Sequence, residues 1–309
     1  MEYNEIIKNS YYHDNTGMLL KGDCLDIMKN FPNKSINLVI VDFPYNIGTA
    51  YKTNLSWDNG LSHEKYIDWC GSVFLETQRV LKDNGSFYWF HNNFETLCDL
   101  QQWIKNNTNF NFMQFITWNK RFENGKKKSY LDGYIVEDRL KNYYKMAEYI
   151  MFYTFKNFWK IKEVRKKRGI KQISISSEIL SRNGNLTGWF SNIETGKYFP
   201  TDETIKPITK YLGLKMEDLV HTFNNQKIHH SVWDYDISEK SIHPTQKPVA
   251  LIENIILHSS NENEIVLDNA AGSCTTAIAC KNTNRRWICI EQEEKYCDIS
   301  VERIKNHIK

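Results

Sequence analysis

A chain of 309 residues with 41% apolar and 25% charged side chains can bury a sizeable core, which excludes a disordered or fibrous protein. There is no run of about 18 consecutive apolar residues, so a membrane span is not expected, and the polar stretch Met1–Tyr11 does not read as a signal peptide. The net charge of +3 does not by itself argue for nucleic acid, and seven cysteines with no Cys-x-x-Cys pair predict free thiols in a reducing cytoplasm and no metal site.

Gly17–Cys24 reads as a short strand closing at Gly22-Asp23, with Leu25–Phe31 as a brief helix and Asp23 of a type suited to its N-cap. Ile36–Val41 is short and β-branched, as in a buried strand of a parallel sheet. Ligands of such sheets bind beyond the carboxyl ends of the strands, where Asp42 stands. Pro44 fixes its own φ and biases Phe43 towards extended geometry. The Asp42 carboxylate and the Phe43 carbonyl are then two acceptors beside the Tyr45 ring, a set that suits a flat, amino-bearing ring. A plain β-turn is the alternative reading.

Asn46–Asn59 reads as a mobile loop over this site. His63–Leu81 has helical periodicity, Lys82–Gly85 ends it, and Ser86–Phe90 is the next strand. A helix over Phe94–Ile104 and a strand over Phe112–Trp118 follow, then a loop carrying Lys120, Arg121 and Lys126–Lys128, then a strand over Glu148–Tyr153. Strands alternating with helices predict an α/β fold with a largely parallel sheet.

Between Asn157 and Ile228 the character changes: 13 Lys and Arg stand against 7 Asp and Glu. Helices are expected over Ile161–Gly169, Gln172–Leu180, Leu186–Ile193, Thr201–Leu212 and Met216–Phe223. This segment resembles the helix-turn-helix domain of the Cro and phage-repressor type, with a longer turn at Ser181–Gly188. The resemblance implies that Asn185, Thr187, Ser191 and Asn192 read the major groove and that Gln172 and Lys197 meet phosphates. Arg165, Lys166, Lys120 and Arg121 are further candidate DNA contacts. A helical cap that merely packs is the alternative.

The chain then returns to α/β. Ser241–Pro248 precedes a helix over Val249–His258, and Glu264–Asp268 is a strand ending in an acid. Asn269–Thr276 turns into a helix at Ala277–Lys281, the strand Trp287–Glu291 again ends in an acid, and a helix over Glu293–Lys305 closes the chain. Small residues at Asp268–Thr276 let backbone amides approach a ligand, and a helix N-terminus favours a carboxylate. Glu291, 23 positions after Asp268, matches the spacing of an acid that accepts from ribose hydroxyls. Cys274 occupies a place where a Gly-x-Gly turn would have glycine. The set suits a nucleoside bearing one carboxylate.

Three strings now coincide: Asp42-Phe43-Pro44-Tyr45, His243-Pro244-Thr245-Gln246-Lys247-Pro248 and Asp268–Thr276. Together they resemble the catalytic, helix-entry and cofactor motifs of S-adenosylmethionine-dependent DNA amino-methyltransferases, in the permuted order of the β group. Phe43, Ala270 and Cys274 depart from the usual pattern. The resemblance implies a Rossmann-like class I methyltransferase sheet formed by 1–156 and 229–309, with 157–228 as a small all-helical target-recognition insert. It implies Asp42, Phe43, Pro44 and Tyr45 as the catalytic residues. Asp268, Ser273 and Thr275, with Thr245 and Lys247, would hold the methionine end of S-adenosylmethionine; Glu291 would hold the ribose, and Asp23 would face the adenine. Cys24, Ala270 and Gly272 are cofactor-binding by their places in the same turns. The expected activity is methylation of adenine N6 in double-stranded DNA. Cytosine N4, a DNA-binding regulator on an inactive scaffold, and an RNA or small-molecule substrate are the rival readings. A homodimer and a companion restriction endonuclease are left open as partners.

Overall fold

The computed structural model describes residues 3–46, 61–120, 147–155, 157, 159–176, 186–195, 198, 200–224, 226, 230–236 and 246–307. Among them, nine strands form one sheet: β1 Tyr12–His13, β2 Gly17–Lys21, β3 Ile36–Val41, β4 Leu81–His91, β5 Phe110–Asn119, β6 Ala147–Phe155, β7 Val232–Asp234, β8 Ile265–Asp268 and β9 Arg286–Glu291. Their spatial order is β1-β2-β9-β8-β3-β4-β6-β5-β7. β2, β9, β8, β3 and β4 run parallel, whereas β6 is antiparallel to both β4 and β5. The sheet is therefore mixed. It is parallel where βαβ crossovers make it and antiparallel where β5 and β6 pair directly.

The helices of this layer are α1 Tyr3–Lys8, α2 Cys24–Met28, α3 His63–Val80 and α4 Phe94–Asn107. β3 shows why the sheet needs cover on both faces, since all six of its residues are buried. Val39 and Val41 join the core under α2, α3 and α4. Leu38 and Ile40 join the core under three later helices, α9 Val249–Ser259, α10 Thr275–Asn282 and α11 Glu294–Lys305. This is the two-residue period of a strand buried on both sides.

The crossover through α3 carries the chain from β3 to β4, and the one through α10 carries it from β8 to β9 in the other direction. β3 and β8 are neighbours, in register at Ile40 and Asp268. The crossovers thus diverge between them and leave a crevice at their carboxyl ends, the place where ligands bind in such sheets.

The remaining helices, α5 Trp159–Lys167, α6 Gln172–Ser174, α7 Leu186–Glu194 and α8 Asp202–Leu212, close around their own core of Ile161, Ile175, Phe190, Ile193, Ile208 and Leu212. This unit leaves the sheet at the end of β6, which is antiparallel, and so starts at the amino end of β4. Asn157 Nδ2 donates to the Asp83 carbonyl at 2.6 Å, Lys160 pairs with Asp83 at 2.7 Å, and the Thr222 amide donates to the Asn84 carbonyl at 3.0 Å. The helical unit is therefore rooted at the sheet edge opposite the crevice.

Three expected elements differ. Lys82–Gly85 is not a turn: it lies within β4, where a register shift against β3 between Ile36 and Leu38 accommodates it. The helix expected over Met216–Phe223 is one short turn, Met216–Asp218, after which Phe223 stacks on Phe152 and His258 of the sheet layer. α6 is a single turn of the expected Gln172–Leu180, whose last four residues lie outside the described residues.

Candidate active site

The crevice holds a cavity lined by turns from four strand ends and by Lys247. Asp23, Cys24, Asp42, Phe43, Pro44, Tyr45, Lys247, Asp268, Ala270, Gly272, Ser273, Thr275 and Glu291 all lie on its wall. The fold thus gathers every candidate of the catalytic and cofactor strings except Thr245, which lies outside the described residues.

Asp42 follows the last residue of β3. Its Oδ1 accepts from the Tyr45 hydroxyl at 2.7 Å and its Oδ2 from the Lys247 ammonium at 2.5 Å. Behind them lies Glu148, at the start of β6 and 7% exposed. It is 3.3 Å from Lys247 and accepts from the Tyr45 hydroxyl at 3.3 Å, while its other oxygen pairs with Lys120. Burial pushes the Asp42 carboxyl up, Lys247 opposes this, and the Glu148 charge adds to it. Burial alone would lower Lys247, but Asp42 and Glu148 outweigh it and hold the ammonium above its ordinary value. Glu148 is held down at about 2: burial would raise it, and Lys247 and Lys120 win. Two carboxylates and two ammoniums therefore balance in a row whose middle members, Glu148 and Lys247, are buried. The Tyr45 hydroxyl, pushed up by burial and by Asp42, stays protonated.

The Phe43 ring packs against aromatic side chains of α3. It is 3% exposed and meets Trp69 edge-on at 5.1 Å and Phe74 at 5.9 Å. The Pro44 carbonyl accepts from the Tyr66 hydroxyl at 2.9 Å, which fixes the path of the turn.

On the other side of the crevice, Asp268 accepts from the Ala270 amide at 3.2 Å and the Thr276 hydroxyl at 2.5 Å, yet burial pushes its carboxyl up to about 6. Glu291 accepts from the amides of Gly272 and Glu293, each at 2.8 Å, and burial pushes it up to about 7. Gly272 at φ 51° and Cys274 at φ 53° both take the left-handed conformation that turns the chain into α10. This explains the glycine preference at the second position and leaves Cys274 strained by roughly 1 kcal/mol. Asp23 caps α2, accepting from the Leu25 amide at 2.8 Å.

Sequence reasoning missed Glu148 and Arg303. Arg303, on α11, donates to the Ser273 carbonyl, the Ser273 hydroxyl and the Thr275 hydroxyl at 2.8–3.1 Å, bracing the turn from behind. Each sits in an ordinary-looking strand or helix, and only pairing across the fold reveals its place.

The DNA-contact candidates are scattered. Lys120 is committed to Glu148 and lies over the Trp118 ring. Arg165 and Gln172 both donate to the buried Glu194, Arg165 Nε at 2.6 Å and Gln172 Nε2 at 2.6 Å, and so help to hold the helical unit together. Lys166 and Asn192 are exposed, and Ser191 is half-buried. Thr187 is on α7; Arg121, Asn185 and Lys197 lie outside the described residues.

Comparison with known proteins explains this arrangement. Residues 36–302 match the N6_N4_Mtase family of DNA methylases, and the chain belongs to that family. It is 28% identical over 294 residues to the DNA adenine methyltransferase YhdJ of Escherichia coli, covering 93% of this chain and 82% of the relative. It is 25% identical over 314 residues to the Type II methyltransferase M.HinfI of Haemophilus influenzae, covering 95% and 69%. Its fold matches the M1.HpyAVI complex with S-adenosylmethionine (TM-score 0.52, 20% identity, 93% and 99% covered) and the cytosine-N4-specific PvuII DNA methyltransferase (TM-score 0.57, 20% identity, 97% and 91% covered). The protein is a DNA methyltransferase that uses S-adenosylmethionine, on a class I methyltransferase fold. The cavity fits that cofactor: the buried Asp268 and the half-buried Glu291 stand at neighbouring strand ends, and Asn269 Oδ1, buried in its wall, accepts no hydrogen bond among the described residues.

Proposed function

We propose that this protein methylates N6 of adenine in double-stranded DNA. One observation carries the choice of reacting group: an aspartate, held from two sides by Tyr45 and Lys247, lines the cavity at the carboxyl end of β3. By the family's pattern aspartate at this position, rather than serine, goes with adenine, and YhdJ is an adenine methyltransferase.

The target base must leave the duplex to reach the cavity. S-adenosylmethionine would supply a methyl group on a sulfonium. Asp268, Ser273 and Thr275, with Thr245 and Lys247, would hold its methionine end, Glu291 would accept from the ribose, and Asp23 would face the adenine. The amino nitrogen of the target is conjugated with its ring and is a poor nucleophile. Asp42 and the Phe43 carbonyl would accept its two hydrogens and favour a pyramidal nitrogen whose lone pair attacks the sulfonium methyl; the carbon–sulfur bond breaks as the carbon–nitrogen bond forms, the cofactor leaves as a neutral thioether, and the methylated nitrogen gives up one proton to Asp42 or to solvent. Tyr45 and Lys247 already donate to Asp42, but a carboxylate has about four lone-pair sites and retains capacity for one more donor. Such bonds are stronger in the transition state than before it, which is what accelerates the step.

The helical unit contacts duplex DNA in this reading, through exposed Lys162, Lys166, Lys167 and Lys171. Its root at the opposite edge of the sheet supports binding away from the reacting base rather than delivery of that base.

The test is expression in a host without DNA methylation, followed by mass spectrometry of nucleosides from its genomic DNA. N6-methyladenine is the expected product. N4-methylcytosine would overturn the base assignment, and unmodified DNA beside a folded, cofactor-binding protein would favour a DNA-binding regulator.

A further inference from the structure

We infer that Glu148 is a positioning residue for methyl transfer, acting through Lys247 and Tyr45 on the oxygens of Asp42. The inference rests on the proposed role of Asp42 as acceptor for the target amino group.

Glu148 does not line the cavity, and so does not act by touching the base or the cofactor. Among the described residues it nonetheless contacts both partners of Asp42, at 3.3 Å from the Lys247 ammonium and 3.3 Å from the Tyr45 hydroxyl. Those two side chains also touch each other at 3.3 Å. Lys247 is pinned from further sides: it is 6% exposed and its ammonium lies within 5.3–6.0 Å of the ring centres of Phe90, Tyr45 and Trp118. An ammonium in that box with Asp42 as its sole anion would draw the carboxylate inward, away from the crevice. A second anion beside it shares the ammonium's donors and lets Asp42 keep a lone pair for the incoming base. Lys120, paired with the other Glu148 oxygen, balances the added charge. The row from Lys120 to Asp42 joins residues of β3, the end of β5, β6 and the approach to α9, so it is built by the tertiary fold and by no local motif.

A merely structural role predicts something different. If Glu148 only neutralises buried charge, then removing its charge together with that of Lys120 restores the balance and should restore everything. The experiment compares wild type with Glu148→Gln, Glu148→Asp and the double variant Glu148→Gln/Lys120→Met. It measures single-turnover methylation at saturating DNA and S-adenosylmethionine, cofactor affinity by calorimetry, and melting temperature. We expect the Gln variant to slow turnover by about tenfold or more, with cofactor affinity changed less than threefold and with partial rescue in the Asp variant. The double variant should regain melting temperature but not turnover. Wild-type turnover in either the Gln variant or the double variant would overturn the inference. If the Gln variant does not fold, the charge-balanced double variant carries the same comparison. Failure of the wild-type protein to methylate any DNA would instead strike the functional reading itself.

Discussion

The Lys247 ammonium lies 2.5 Å from Asp42 Oδ2, although the two residues are 205 positions apart. The contact joins the string that ends β3 to the string that opens α9, and it puts an always-charged donor on one oxygen of the acceptor carboxylate. By resemblance Lys247 was expected to hold the methionine end of the cofactor. Lys247 both lines the cavity and donates to Asp42.

Cofactor binding should strengthen as pH rises to about 7. Burial pushes Glu291 up to about 7 and Asp268 up to about 6, both above their ordinary carboxylate values. For raised acids the ionised form is disfavoured in the folded state, so the cofactor-free protein loses stability as pH rises from about 4.5, near the free glutamate value, through about 7. If Glu291 accepts from the ribose, as proposed, its ionised form is the one that does so, and S-adenosylmethionine binding recovers that loss. Calorimetric titrations from pH 5.5 to 8.5 should show affinity falling below pH 7, and Glu291→Gln should flatten the curve. A wild-type affinity independent of pH across that range would contradict the assignment of Glu291.

Phe43→Pro should cost stability before it costs turnover. The ring fills a buried site against Trp69 and Phe74, and losing it should destabilise by about 3 kcal/mol. The carbonyl survives the change. A lower melting temperature with turnover within about threefold of wild type at 20 °C is expected. Loss of turnover in a variant that melts normally would show that the ring has a part in the reaction.

At position 274 glycine should be no worse than alanine. Cys274 is fully buried, a setting where alanine ordinarily beats glycine, but its φ of 53° favours glycine by about 1 kcal/mol. Denaturant midpoints of Cys274→Gly and Cys274→Ala decide this, and a clearly more stable alanine variant would refute the strain.

Most of the parallel half of the fold was legible in the sequence. β3 was delimited to the residue because it is buried on both faces and reads as one apolar run, and the acids at 42, 268 and 291 announce strand ends by interrupting such runs. The site was legible only where its residues are contiguous in motifs. Glu148 and Arg303 were invisible because each acts at a distance of many positions, and neither breaks the pattern of its element. The commitments of Arg165 and Gln172 were hidden for the same reason: a basic or polar residue on a helix reads as solvent-facing until the buried Glu194 is placed against it. The antiparallel β6 had no signature either, since direction is set by a connection and not by composition.

The helical unit should contribute affinity for duplex and not chemistry. Lys162→Glu, Lys166→Glu and Lys167→Glu together reverse an exposed basic face of α5. If each meets a phosphate, the slope of log affinity against log salt should flatten by about 3. Methyl transfer at saturating DNA should hold within about threefold, because the unit is rooted away from the crevice. An unchanged salt slope would show that this face does not meet DNA.

The most direct measurement is single-turnover transfer from methyl-labelled S-adenosylmethionine to duplex DNA by wild type, Asp42→Asn and Asp42→Ala, with the product nucleoside identified by mass spectrometry. A charged hydrogen bond contributes about 1.5–3 kcal/mol, so Asp42→Ala should be slower by roughly 10- to 100-fold. Asp42→Asn, which keeps one acceptor oxygen without the charge, should fall between it and wild type, and the product should be N6-methyladenine throughout. Wild-type rates in Asp42→Ala, or N4-methylcytosine as the product, would contradict the account.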